Sequence, residues 1–344
     1  MLNLIHSLSG RPWAIRADMA AHVRGLVAKE GIAGLRHLAE LRTGARAYKD
    51  DEGPERPQAA RRSAMATSST VAVIPILGVV TQRGGMDAIT CEGFRSTDDI
   101  AAEVQSAAAD PKVDAIVLEV DSPGGEVFGV PEAWTVIREA AKSKPIVAAV
   151  NSVSASAAYY LSSAATEIWV TPSGQVGSIG VYCLHVDISK WLEDNGETWT
   201  FISAGKYKVE GNPAEKLSDE ARAAIQGEID RYFDMFEGHV AKGRGVSVKK
   251  VHAGFGEGRM VGATAAVEQG MADKVGTFEQ AIRRAAQLGA ENRKSGGAKA
   301  ALEERELRAA NDPTGPAQPE IADAPTPPAA ETARAAALAR LRAL

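Results

Sequence analysis

The chain is poor in cysteine and aromatics, and it has no long apolar run. Only Cys91 and Cys183 occur in 344 residues. Neither sits in a CxxC pattern or beside a histidine at metal-ligand spacing, so they read as two reduced thiols rather than a disulfide framework. The six histidines, His6, His22, His37, His185, His239 and His252, form no HxxxH or HExxH pair, so neither metal nor cofactor is expected. No stretch reaches the roughly 18 uninterrupted apolar residues of a transmembrane helix. The opening MLNLIHSLSGRPW lacks the apolar core of an export signal. A net charge of −5 and a pI near 5.8 argue against a nucleic-acid partner. Arg42, Arg46, Arg61 and Arg62 are too few and scattered to change that. The expectation is a protein of the bacterial cytoplasm without a membrane anchor.

What is present is ordinary globular composition, 45% apolar and 24% charged. Residues 1–47 read as a helical arm, because Ala20, Val23, Leu26 and Val27, then Leu35, Leu38 and Leu41, recur at helical spacing. Residues 48–70 are polar with Pro, Gly and Ser, and read as a linker. Residues 71–288 form the main domain. Residues 289–344 are dominated by Ala, Glu, Arg and Pro and cannot build a core, with ETARAAALARLRAL as a candidate terminal helix.

Within 71–288, short apolar runs alternate with helical patterns. VAVIPIL, DAIVLEV, PIVAAV and EIWV read as buried strands, VGSIGVYCLHVD as a strand pair and TWTFIS as a further strand. Helices are predicted over Thr97–Ala109 with Thr97 as N-cap, Val130–Lys142, Ser156–Ala165, Ile188–Asn195 and Ser218–Lys242, with a helical hairpin over about Thr264–Leu288. Such alternation means an α/β fold with a parallel sheet, and strands apolar throughout mean burial on both faces.

Three turns after predicted strands hold small or chemically active residues, where open α/β sheets place their sites. In DSPGG, Asp121 to Gly125, adjacent glycines let backbone N–H groups approach a ligand and stabilise an oxyanion. In NSVSASAAYY a serine opens a helix among small residues. In SAGKYKVEGNP two lysines, Lys206 and Lys208, lie in a glycine-bounded loop. A lysine serves as general base only when neutral, and burial lowers its pKa. Each turn alone is also explained as a tight turn, a capping segment or a solvated charge. An extended backbone puts residues 206 and 208 on one face, so alternation does not choose between them.

Taken in order, PGG, then a small-residue serine helix, then GKYK resemble the signal-peptide-peptidase-A-like serine peptidase family. The resemblance runs from about Val71 to Ala285 and takes in GRMVGATAAVEQGMADKVGTFEQAI, similar to the family's closing region. It implies a Clp-protease/crotonase-like fold with a parallel sheet and repeated ββα units. It makes Ser156 the nucleophile and Lys208 the general base, 52 positions later, with Lys206 as the competitor. It assigns Ser178 to a hydrogen bond with the lysine, and Gly124, Gly125 and Ala157 to the oxyanion turn. Ala157 and Ala158 stand where the family often has two glycines, which narrows the space beside the nucleophile. The lack of an anchor, the N-terminal arm and the tail suit the phage and prophage head-maturation branch. On that reading the protein is a homo-oligomer that cuts capsid scaffold or portal protein, in the host cytoplasm or inside the procapsid. The rival readings are a soluble signal-peptide or oligopeptide peptidase, a crotonase-type acyl-CoA enzyme, and a catalytically dead assembly component.

Overall fold

A computed structural model describes residues 13–15, 71–86 and 93–295. The linker at 48–70, the tail beyond 295, Cys91 and most of the helical arm expected over 1–47 lie outside the described residues. Within that arm, Trp13–Ile15 is a strand, β1, rather than helix. Aromatic and β-branched residues suit a strand, and β1 finds a partner strand.

The main sheet has seven strands: β2 (Val71–Leu77), β6 (Ala115–Ser122), β8 (Ile146–Ala155), β9 (Glu167–Val170), β10 (Gln175–Gly177), β11 (Met260–Gly262) and β12 (Lys274–Val275). Pairings β2–β6, β6–β8, β8–β9, β8–β10 and β9–β12 are parallel, and only β10–β11 is antiparallel. β8 organises the sheet. Its first half carries β9, and its last three residues carry β10. Side chains alternate across the strands as their period of two requires. Ile116, Leu118 and Val120 enter the larger core, whereas Ala115 and Val117 meet Phe278, Ala281 and Ala285 of a C-terminal helix on the other face. A smaller sheet runs in the order β1, β7 (Gly124–Glu126), β3 (Val80–Thr81), β5 (Gly93–Ser96), β4 (Gly85–Met86). The expected α/β class with a parallel sheet is what the chain adopts, and ββα units recur in it.

The helices are α1 (Thr97–Ala109), α2 (Val130–Ala140), α3 (Ala157–Ser163), α4 (Ser189–Asp194), α5 (Asp219–Arg244), α6 (Val248–Gly254), α7 (Ala263–Gln269) and α8 (Phe278–Ser295). The expected helical hairpin is therefore α7 and α8, with β12 between them. Three further expectations need correction. Ser96, not Thr97, caps α1: its hydroxyl accepts from Asp99 N at 3.0 Å and is itself anchored on Gln82 O. The strand pair expected over VGSIGVYCLHVD ends at Gly177, where positive φ at Gly177 and Ser178 turns the chain off the sheet. TWTFIS is irregular rather than a strand. Its side chains have high β propensity but no strand to pack on among the described residues, and Ile202 is 98% exposed.

The sequence segment that resembles the family's closing region has a mechanical role. Asp273 accepts both guanidinium arms of the buried Arg244 at 2.9 Å and also receives Ile168 N of β9 at 2.7 Å. Arg244 Nε donates to Gly270 O at 3.0 Å. One carboxylate therefore ties the end of α5 to the sheet edge, and Asp273 holds Arg244 charged in spite of its burial. Removing one member of a buried pair strands the other charge. Asp273→Ala is expected to cost about 3 kcal/mol of stability, measured by urea unfolding, with Asp273→Asn intermediate.

Candidate active site

β8 and β10 run side by side in parallel and end in register, Ala155 opposite Gly177. The residues that follow are Ser156 and Ser178. Both have positive φ, 53° and 54°, a region that non-glycine residues seldom adopt. Such strain costs on the order of 1–3 kcal/mol and persists only where the surroundings over-determine it. Here they do. Ser156 N donates to Gly177 O at 2.7 Å, and Ser178 N donates to Arg259 O at 2.9 Å. Tyr160 N donates to Ser156 O at 2.8 Å and starts α3.

Every residue of α3 is buried. Ser162 Oγ lies 3.0 Å from Ser154 Oγ, Trp134 Nε1 donates to Ser163 Oγ at 2.9 Å, and Tyr159 OH donates to Met271 O at 2.9 Å. A Cβ on Gly243 of α5 would fall 2.1 Å from Ser163 O, so α5 closes directly onto α3. Held in this way, Ser156 does not cap the helix. Its Oγ is buried, with no hydrogen-bond partner among the described residues. Buried hydroxyls are nearly always bonded, so an orphan on a strained strand-to-helix turn calls for a functional explanation.

β7 lies against α3 and carries the two glycines. Gly124 has φ 94° and its N–H donates to Ser122 Oγ at 3.2 Å. A Cβ on Gly125 would sit 1.7 Å from Val80 O, so only glycine allows β3 to approach this closely. Gly124, Gly125, Ala157, Ser156 and Ser178 are thus gathered around one end of the sheet.

Lys208 is not joined to them. It lies in an exposed turn, its N–H donating to Gly205 O at 3.2 Å, and it makes no hydrogen bond to Ser156. Lys206 is committed elsewhere. Its Nζ donates to Tyr207 OH at 2.7 Å and to Glu220 Oε1 at 3.1 Å, and these bonds raise its pKa.

Three features were not visible in the sequence. Two are the carbonyls of Gly177 and Arg259, which fix the serine turns. The third is a narrow apolar crevice of about 10 Å³ lined by Val127, Val130, Pro131, Tyr160, Val181, Tyr232 and Phe236, just beyond β7 and one turn along α3 from Ser156. These residues come from separate elements, and only their apolar character could have marked them. Beneath the crevice, His239 stacks on Trp134 (centroids 4.2 Å apart), and its Nδ1 lies 2.6 Å from Tyr160 OH. Burial first, then Lys242, lowers the His239 pKa to about 4. Burial pushes the Tyr160 phenol up.

With the geometry in view, residues 138–292 match the model of Peptidase family S49. That stretch is under half of the chain and holds the serine and lysine turns; it is similar to an S49 peptidase, in line with the resemblance read from the sequence. Among particular relatives, Capsid assembly protease C of Escherichia phage lambda is 33% identical over 233 residues, 68% of this chain and 51% of that protein. Head-tail preconnector protein GP5 of Enterobacteria phage P21 is 35% identical over 213 residues, 62% and 42%. Serine protease SPPA of Arabidopsis thaliana is 28% identical over 191 residues, 55% and 28%. The chain thus spans about half the length of the phage relatives it matches. Among solved structures, a ClpP1 mutant from Listeria monocytogenes aligns over 61% of this chain and 94% of that one, with 15% identity and a TM-score of 0.38.

Two outcomes are expected. Gly125→Ala must push β3 off β7 and should lower stability by about 2 kcal/mol, seen in thermal unfolding. His239 is depressed in the fold, so its contribution is complete above about pH 6.5 and is lost as pH falls towards about 4. His239→Gln should flatten the pH dependence of stability across that window, while weakening the fold at pH 7 through loss of the Trp134 stack.

Proposed function

We propose that the chain is a serine endopeptidase with a Ser–Lys dyad, Ser156 as nucleophile and Lys208 as general base, and that it processes capsid scaffold or portal protein during phage head assembly. The observation that carries this reading is the unpartnered Ser156 hydroxyl on a strained turn at the paired ends of β8 and β10. The phage relatives, with names that speak of capsid assembly and a head-tail preconnector, favour the substrate class and a site of action inside the host cell or its procapsids.

In the reaction, Lys208 Nζ takes the Ser156 proton as Oγ attacks the peptide carbonyl. The N–H groups of Gly125 and Ala157 hold the oxyanion. Lys208 then protonates the leaving amine, and water hydrolyses the acyl-enzyme. Ser178, next along from the Gly177 carbonyl that anchors Ser156, holds the amine for this transfer.

The exposed position of Lys208 sets a condition on this chemistry: its amine must be delivered to Ser156. The segment that carries it exposes Phe201, Ile202 and Tyr207, apolar surface of the kind an interface covers. A second copy of the chain, docking this segment against a neighbour's Ser156, brings the dyad together and desolvates the lysine, which favours its neutral form.

Ser156→Ala and Lys208→Ala should each reduce cleavage of the neighbouring capsid, scaffold or portal protein by at least about a thousandfold, read by mass spectrometry of fragments. Lys206→Ala should stay within a few-fold of the parent; the reverse ranking reassigns the base. Equimolar mixing of the Ser156→Ala and Lys208→Ala proteins should restore up to about a quarter of parental activity if sites form head-to-tail between copies. No restoration places the base within the same chain.

A further inference from the structure

The smaller sheet places β7 between β3 on its inner side and β1 on its outer side. β1 runs antiparallel to β7, with Ile15 opposite Gly124, Ala14 opposite Gly125 and Trp13 opposite Glu126. A segment from near the chain's start therefore forms a strand on the glycines of the candidate oxyanion turn, on a strand that itself lies against the nucleophile helix α3. Ser156 is only 1% exposed, so the nucleophile is closed off in the chain by itself. An extended peptide that adds a strand to an exposed edge obtains main-chain affinity from the ladder, while side-chain pockets give selectivity. Without β1, β7 offers such an edge, beside the apolar crevice that begins at Val127.

We infer that Trp13–Ile15, laid on the outer edge of β7, acts as a built-in inhibitor that holds in cis the place an extended peptide substrate would take. The inference rests on the serine peptidase reading above and adds to it a control on access to the site. A strand of three residues is short enough to leave readily. Tethering compensates, because an attached segment acts at an effective concentration on the order of millimolar. Dilute peptides are excluded, and a substrate concentrated near the enzyme displaces the strand. The sequence around β1, Arg-Pro-Trp-Ala-Ile-Arg, places a small residue at the register position opposite Gly125.

The test uses the full chain and two substitutions, Ala14→Pro and Ile15→Pro. Successive N–H groups along a strand point to opposite sides, so one of the two prolines removes a ladder bond to β7. In a Ser156→Ala background, a fluorescent peptide of residues 8–20 should bind at least one proline variant at least tenfold more tightly than the chain with an intact β1. With Ser156 present, that variant should hydrolyse casein with a several-fold lower KM and an unchanged kcat. Equal peptide affinity with and without the prolines, or none in any protein, overturns the inference. Tighter peptide binding without hydrolysis in any protein sustains the occupied edge and removes the peptidase reading. Ser156-dependent hydrolysis that neither proline alters keeps the peptidase and removes the inhibitor. Should both variants fail to fold, amide exchange in the unsubstituted chain decides: Trp13–Ile15 should be protected, and exchange at the unstructured rate overturns the proposal.

Discussion

The turn at Ser156 is the constraint around which the rest of the site is built. A serine with φ 53° is not stable by its own preference. It is held by the Gly177 carbonyl in front of it and by a fully buried helix behind it. That helix depends in turn on tyrosine and tryptophan hydrogen bonds and on the bare backbone of Gly243. Most of the larger core therefore serves to keep one hydroxyl at the mouth of two parallel strands. The same packing leaves that hydroxyl without a partner among the described residues, so the stability of the fold and the unbonded state of the serine have one cause.

The two members of the proposed dyad are treated differently by the fold. Ser156 sits on rigid, buried elements, whereas Lys208 sits on an exposed turn. A lysine held away from Ser156 cannot take its proton, and a serine kept dry meets no substrate. With β1 laid on β7, the isolated chain has the character of a resting state whose completion is left to an encounter.

The pair of Arg244 and Asp273 explains why the end of the domain matters to a site so far along the chain. Asp273 joins α5 to β9, and α5 is the helix that presses on α3. Gly276, two residues past Lys274, lies where a Cβ would meet the Trp169 ring at 2.8 Å, so the closing segment can seat against the sheet only as glycine. The small residues of this segment thus record close backbone approach rather than chemistry.

The sequence by itself determined the α/β class, the order of the buried strands, the long amphipathic helix α5 and the serine and glycine turns. These features are local: an apolar run bounded by turn residues describes a buried strand whatever it packs on. The same logic failed for TWTFIS, which has the composition of a strand but no neighbour to pair with, and for Trp13–Ile15, whose strand exists only because β7 offers an edge. Tertiary structure alone decided that Ser156 and Ser178 stand side by side, that Lys206 is bound in a surface ion pair, and that Lys208 remains apart from the nucleophile. Spacing along a chain carries no information about distance across strands until the register is set, and register comes from the packing of the whole sheet.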